Sequence, residues 1–202
     1  LENELSEEAY LHLEKVMYSY YELSSQTWEK FKTITSFKRV QKSEELVSIG
    51  DVPDYIYFVH KGLFRAFAIA QGDEGKEVNK YFFDEGRFPA SIIASLQNSE
   101  SKICIQALED SEVIGIHYPS YRKLLEECHD LKWYHINYLE KHWVIEKEPI
   151  EISLLDGEAK QRYSDFVKKN PGMIERVPLY HIASRLGITP TQLSRIRNSL
   201  KK

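Results

Sequence analysis

LVSIGDVPDYIYFVHKGLFRAFAIAQGDEGKEVNKYFFDEG, residues 46–86, holds short apolar runs cut apart by turn signals. The runs are Tyr55–Val59, Leu63–Ala70 and Val78–Phe83, and the signals are Gly50-Asp51, Lys61-Gly62, Gly72-Asp73 and Glu85-Gly86. β-Branched and aromatic residues between such signals read as strands, and strands at roughly ten-residue spacing describe a sandwich or barrel. Two further strand-like runs, Ile103–Ala107 and Glu112–Ile116, follow an apolar patch at Ser91–Leu96. On the N-terminal side, Leu5, Ala9, Leu13, Val16, Tyr20 and Leu23 recur at helical steps and predict a helix over 3–34. The helical period returns after Tyr118-Pro119 and holds to about Leu155, with Pro149 expected to break it. A further helix is expected from Gly157 to Lys169, stopped by Asn170-Pro171-Gly172. There is no internal repeat.

Of the 202 residues, 42% are apolar, 29% charged and 12% aromatic, which describes an ordinary globular chain rather than a disordered one. No apolar run approaches the ~18 residues of a membrane span. The acidic start, LENELSEEAYLHLE, argues against a secretory signal, so a cytoplasmic chain without membrane contact is expected. Two cysteines, Cys104 and Cys128, are too few for a disulfide framework or a cysteine-rich metal site. The net charge of −4 is unevenly spread: residues 1–155 carry 17 Lys/Arg against 27 Asp/Glu, whereas residues 156–202 carry 10 against 4. A basic module behind an acidic body suggests different partners for the two, a polyanion for the second.

That basic module contains RVPLYHIASRLGITPTQLSRIRNSL, residues 176–200. A first helix is expected from Pro178 to Leu186, a turn at Gly187, and a plug at Ile188. The second helix opens on Thr189-Pro190-Thr191-Gln192, a capping box with proline at the first position. Leu193, Ile196 and Leu200 form its apolar stripe, and at about 100° per residue the opposite face carries Thr191, Ser194, Arg195, Asn198 and Lys202. Gln192 and Arg197 flank it. Short helix, glycine turn and capped helix make a helix-turn-helix, and Thr189, Thr191, Gln192, Ser194, Arg195, Arg197 and Asn198 are the expected DNA-binding residues. Arg and Asn pair bidentately with guanine and adenine edges, and the hydroxyls suit phosphates.

Taken in order, GDVPDYIYFVHKGLFRAF (50–67), a long helix at about 130–155 and IASRLGITPTQLSRIRNSL (182–200) resemble the Crp/Fnr family of bacterial transcription regulators over almost the whole chain. The resemblance implies an α+β architecture. A double-stranded β-helix (jelly-roll) sensor of cyclic-nucleotide-binding type occupies 1–128 with its N-terminal helix. A dimerisation helix follows at 129–155, then a winged-helix-like helix-turn-helix domain at 156–202. The expected partners are a palindromic double-stranded DNA operator, a second copy of the chain and an unidentified small-molecule effector.

Members that bind cyclic AMP hold it with a Gly-Glu-(Leu/Ala) step and an Arg-(Ser/Thr)-Ala step. The resemblance places these at Pro89-Ala90-Ser91 and Ser101-Lys102-Ile103, so Ser91, Ser101 and Lys102 mark the expected effector pocket. Serine replaces both the carboxylate and the arginine, and cyclic AMP is therefore not the expected effector. No cysteine precedes Cys104, unlike the iron–sulfur members, and no cofactor or metal is expected.

The dimer seam is expected along Leu131, Tyr138, Ile145 and Ile152, spaced by seven, with His135, His142 and Pro149 between them. The two histidines read as polar register-setters rather than a pH switch or metal site. Two other classes compete: a β-barrel enzyme or metal- or ligand-binding protein, and a protein-interaction module that binds no DNA. No paired carboxylates near a histidine, nucleophile motif or phosphate loop is present, so an enzyme is not expected.

Overall fold

The computed structural model describes residues 2–72, 75–156 and 158–200. Among the described residues, seven strands form two antiparallel sheets that do not close on themselves. One is ordered β1 (Thr35–Val40), β7 (Ser111–His117), β3 (Tyr55–Lys61). The other is ordered β2 (Glu45–Val47), β6 (Cys104–Ala107), β4 (Phe64–Ile69), β5 (Glu77–Phe83). The strand β7 shows why its run is so apolar. Its Val113 packs between the sheets with Val40, Val59, Phe64 and Ile105. Ile114 and Ile116 join a second core with Phe58 and the helices. Successive side chains point to opposite faces, so a strand covered on both must be apolar at nearly every position.

The turn glycines sit where the sequence puts them. Gly50, Gly62, Gly72 and Gly86 all have positive φ. At Gly62, with φ of +110°, an added Cβ would lie 2.0 Å from Ser111 Oγ, so the β3–β4 turn admits only glycine. Strands β1 and β2 were not among the expected runs: one is short and cation-rich, the other only three residues long.

The helices depart further from expectation. The run over 3–34 is two helices, α1 (Glu2–Tyr18) and α2 (Ser25–Lys32). Ser24 caps α2, its Oγ accepting from the Thr27 backbone N–H at 3.2 Å, while its own N–H donates to Asp130 at 2.8 Å. The patch at Ser91–Leu96 is a short helix, α3 (Ile92–Gln97). After β7 the chain forms α4 (Tyr118–Glu127), an extended residue at Cys128, then α5 (His129–Leu139). A π segment, Glu140–Ile145, leads to α6 (Lys147–Asp156). Pro149 does not break this helix. It falls in the first turn of α6, where backbone N–H groups have no carbonyl to meet.

The C-terminal part is helical: α7 (Ala159–Lys169), α8 (Met173–Arg176), α9 (Leu179–Arg185) and α10 (Pro190–Leu200). Among the described residues no strand follows β7, so the expected wing has no counterpart there. Gly157, Asp73 and Lys202, named above, lie outside the described residues. A third core gathers Tyr163, Met173, Val177, Ile182, Leu186 and Leu193 around Leu63 of the β3–β4 turn.

Candidate functional site

The helices α9 and α10 meet through Ile182, Ala183, Leu186 and Leu193, all buried, with Ile188 packed against them. Gly187 turns the chain between them at φ +66°, a conformation glycine adopts without strain. The capping box forms in both directions. Gln192 N–H donates to Thr189 Oγ1 at 3.2 Å, and Thr189 N–H donates to Gln192 Oε1 at 2.9 Å. Thr189, Thr191, Gln192, Ser194, Arg195 and Asn198 are exposed, while Arg197 is half-buried beside Leu179. Of the expected stripe, Leu193 is buried and Ile196 packs against the core, but Leu200 is exposed. The outer face of α10 bears no carboxylate, so nothing on it repels a polyanion.

These helices are docked on the β-roll by contacts that periodicity does not reveal. Arg176 donates to both oxygens of Glu85, at 2.9 and 2.8 Å, and also to Glu109. Ser184 Oγ accepts from the Asn79 backbone N–H at 3.0 Å. Between them lies His181, whose Nδ1 is 3.2 Å from an Arg65 guanidinium nitrogen and 3.1 Å from the Asn79 amide nitrogen. Both neighbours are donors, so Nδ1 is the acceptor and the ring is neutral. Arg65 is itself tied to Glu77 and to Gln106.

Burial, then the Arg65 charge, hold the His181 imidazole down at about 4. An unfolded histidine takes up its proton near pH 6.5, whereas the folded one resists until about pH 4. Stability contributed by the neutral ring is thus present above pH 6.5 and falls as the pH drops towards 4, by about 3 kcal/mol in all. Burial also lowers His12, His60, His135 and His142, which act in the same direction. Thermal unfolding between pH 7 and pH 4 should show this acid loss, and His181→Asn, which keeps an acceptor but does not titrate, should make it shallower. An unchanged slope in the variant would remove His181 from the account.

Ser91 and Ser101, the two expected pocket positions, come together. Both are buried, and Ser101 Oγ lies 2.8 Å from Ser91 Oγ and 2.7 Å from the Ile103 carbonyl. These hydroxyls satisfy each other and supply no cation. Lys102 lies on the wall of the same cavity. The cavity holds about 760 Å³ and runs from Ser91 and Lys102 past Phe83, Phe88 and Tyr138 to α6, α7 and Arg185. Cyclic AMP or cyclic GMP titrated into the protein should give no specific micromolar heat, since the charge-assisted contact worth about 1.5–3 kcal/mol is missing. Tight binding abolished by Lys102→Ala would show that the lysine suffices.

The expected seam residues do not share a free face. Leu131 is fully buried in its own chain's core with Ala9, Leu13 and Phe31. His135 Nδ1 bonds the Tyr121 hydroxyl at 3.0 Å, and the Tyr138 ring packs edge-on to Phe88 at 5.4 Å. His142 Nε2 bonds the Tyr20 hydroxyl at 2.6 Å, and its Nδ1 lies 2.8 Å from Glu146, which also accepts from Arg87. Of the seven, Ile145 is exposed at 69%, Ile152 at 60%, and Pro149 is exposed as well. A seven-residue count assumes an uninterrupted α-helix, and the wide turn at Glu140–Ile145 shifts every later position. The free apolar side chains on this helix are instead Trp133, Ile136, Trp143 and Val144 with Ile145.

Both cysteines are buried and free, and burial pushes the Cys104 thiol up to about 12, where it is no nucleophile. Among the described residues no three His, Cys, Asp or Glu are placed to hold a metal. No described helix is long and apolar enough to cross a membrane.

Residues 37–128 match the family model of the cyclic nucleotide-binding domain. No curated protein matches the chain in sequence. Among solved structures, the c-di-GMP responsive global regulator CLP of Xanthomonas campestris is similar at 16% identity, covering 88% of this chain and 92% of its own, with a TM-score of 0.67. FixK2 from Bradyrhizobium japonicum is similar at 17% identity, with 83% and 85% covered and a TM-score of 0.66. The Thermus thermophilus catabolite activator protein is similar at 18% identity, with 89% and 84% covered and a TM-score of 0.53. At these identities the likeness is one of fold. Residues 37–128 therefore form a β-roll similar to the cyclic nucleotide-binding domain, joined to a helical C-terminal region in an α+β chain.

Proposed function

We propose that the chain is a sequence-specific DNA-binding regulator of the Crp/Fnr type that answers to an effector other than cyclic AMP. The observation that carries this reading is the outer face of α10, where exposed Thr191, Gln192, Ser194, Arg195 and Asn198 stand without a carboxylate. Buried Leu193 and the reciprocal cap fix how that face is presented. The similar structures include a global regulator of virulence gene expression, which supports a regulator without identifying the effector. In this reading 1–128 senses, 129–155 pairs with a second copy, and 156–202 reads DNA. Enzymatic activity has no part in this reading.

The decisive experiment is a selection of bound sequences from random duplex DNA with the full chain. Enrichment of a two-fold symmetric site is the expected result. Recovery of only non-specific, salt-dependent binders would leave a basic module without a reader.

The pairing surface we assign is the exposed face of α5 and the π segment, with Trp133, Ile136, Trp143, Val144 and Ile145. One short reading helix needs two half-sites, and a two-fold dimer supplies them. Sedimentation should show a dimer for the wild type and a shift towards monomer for Ile145→Glu. A variant that stays fully dimeric would move the interface elsewhere.

A further inference from the structure

We infer that the 760 Å³ cavity binds an organic anion with an extended apolar body, whose charge is met by Lys80 on β5 and Arg185 at the end of α9. This deepens the regulator reading, resting on it for the role of the cavity as the sensor. The cavity is of the size that small-molecule sites typically have, about 300–1,000 Å³. Its wall is largely apolar, with Phe83, Phe88, Leu139, Ile150 and Leu154 along it.

Of the cations on that wall, Arg87 and Lys147 each hold a carboxylate, and Lys102, Arg122 and Lys169 are exposed to solvent. Arg185 and Lys80 have no carboxylate at ion-pair distance among the described residues. Both instead lean on one ring, Arg185 Cζ at 5.2 Å and Lys80 Nζ at 6.0 Å from the centre of Tyr81. Of the carboxylates lining the cavity, Glu146 is taken by Arg87 and His142, and Asp165 accepts from Gln161. Glu100 is exposed at the rim. Burial lowers the pKa of Arg185 and of Lys80, and Lys147 adds repulsion to the latter.

Arg185 is half-buried without a counter-ion, which is costly, and an incoming anion that also reaches the exposed Lys80 ammonium removes that cost. A small inorganic anion would meet the charge but leave the apolar wall wet, and a neutral apolar ligand would fill the wall but leave both cations unpaired. An amphipathic anion does both. Because Lys80 belongs to the β-roll and Arg185 to the C-terminal helices, the bound anion would bridge the two.

The test titrates laurate, dodecyl phosphate and dodecanol into the full chain without DNA, following the heat of binding by calorimetry. Laurate should saturate, dodecanol should bind at least about tenfold more weakly, and inorganic phosphate should not compete with laurate. Arg185→Gln should weaken laurate about tenfold and leave dodecanol unchanged; Lys80→Gln, on an exposed strand position, provides the same readout should the first variant misfold. Whichever of laurate and dodecyl phosphate binds tighter identifies the head group as carboxylate or phosphate. Equal binding of laurate and dodecanol, or laurate binding untouched in a folded variant, overturns the site. A chain that binds laurate but no duplex DNA overturns the regulator and leaves the anion site standing, and the converse result separates them equally well.

Discussion

Arg195→Ala is expected to lower affinity for the selected duplex by about 1–3 kcal/mol, roughly five- to 150-fold, and to relax preference at one base position of each half-site. Arg195 is exposed on the outer face of α10, with Thr191, Ser194 and Asn198 beside it and no carboxylate to pair with. Nothing in the fold depends on its side chain, so the loss should appear in DNA binding and not in the melting temperature. Arg197 is half-buried at the flank, against Leu179. Arg197→Ala should weaken all sequences alike and make the salt dependence shallower by about one phosphate contact, a log–log slope change near 0.9. Fluorescence anisotropy on matched and mismatched duplexes over a salt series separates the two behaviours. If both variants bind with wild-type affinity and specificity, α10 is not the reading helix.

Leu131→Ala should cost about 2–5 kcal/mol of folding stability, the range for a large aliphatic side chain removed from a packed core. Leu131 is fully buried among Ala9, Leu13, Met17 and Phe31, so α1, α2 and α5 all lose contacts at once. Ile145→Ala, on the exposed side of the same helical run, should stay within about 0.5 kcal/mol under conditions where the chain is monomeric. Urea unfolding of the two variants at low protein concentration provides the comparison. Equal costs would mean that Leu131 is not part of the chain's own core.

That contrast also marks how far the sequence can be read. Turn glycines and the capped last helix are local: Gly62 and the Thr189–Gln192 box need only neighbouring residues, and both are legible in one pass. The break at Ser24 is not, because the Asp130 carboxylate that accepts its N–H is 106 residues away. Nor is the docking of the C-terminal helices, in which Arg176 reaches Glu85 across 91 residues and Glu109 across 67. A helical stripe tells which side chains are apolar and not which surface covers them. Leu131 and Tyr138 therefore read equally well as a seam between chains and as a core within one. The unpaired cations at Lys80 and Arg185 carried a weak trace in the sequence, as a tyrosine-flanked lysine and a helix-ending arginine, but only the folded chain puts them on one ring.

The π segment at Glu140–Ile145 has a consequence in angular terms. A wide turn accommodates an additional residue in the winding, and each residue of an α-helix turns its successor by about 100°. The segment therefore acts as a phase offset between α5, which is anchored in the core, and α6, which leads into the C-terminal helices. Closing this turn to an ordinary α-helix with every residue kept would rotate the azimuth at which α6 departs by about a quarter-turn. Every group that α6 brings to the cavity, Ile150 and Leu154 among them, would swing with it. The direction in which α6 presents its side chains relative to α5 is thus set by the winding of six residues.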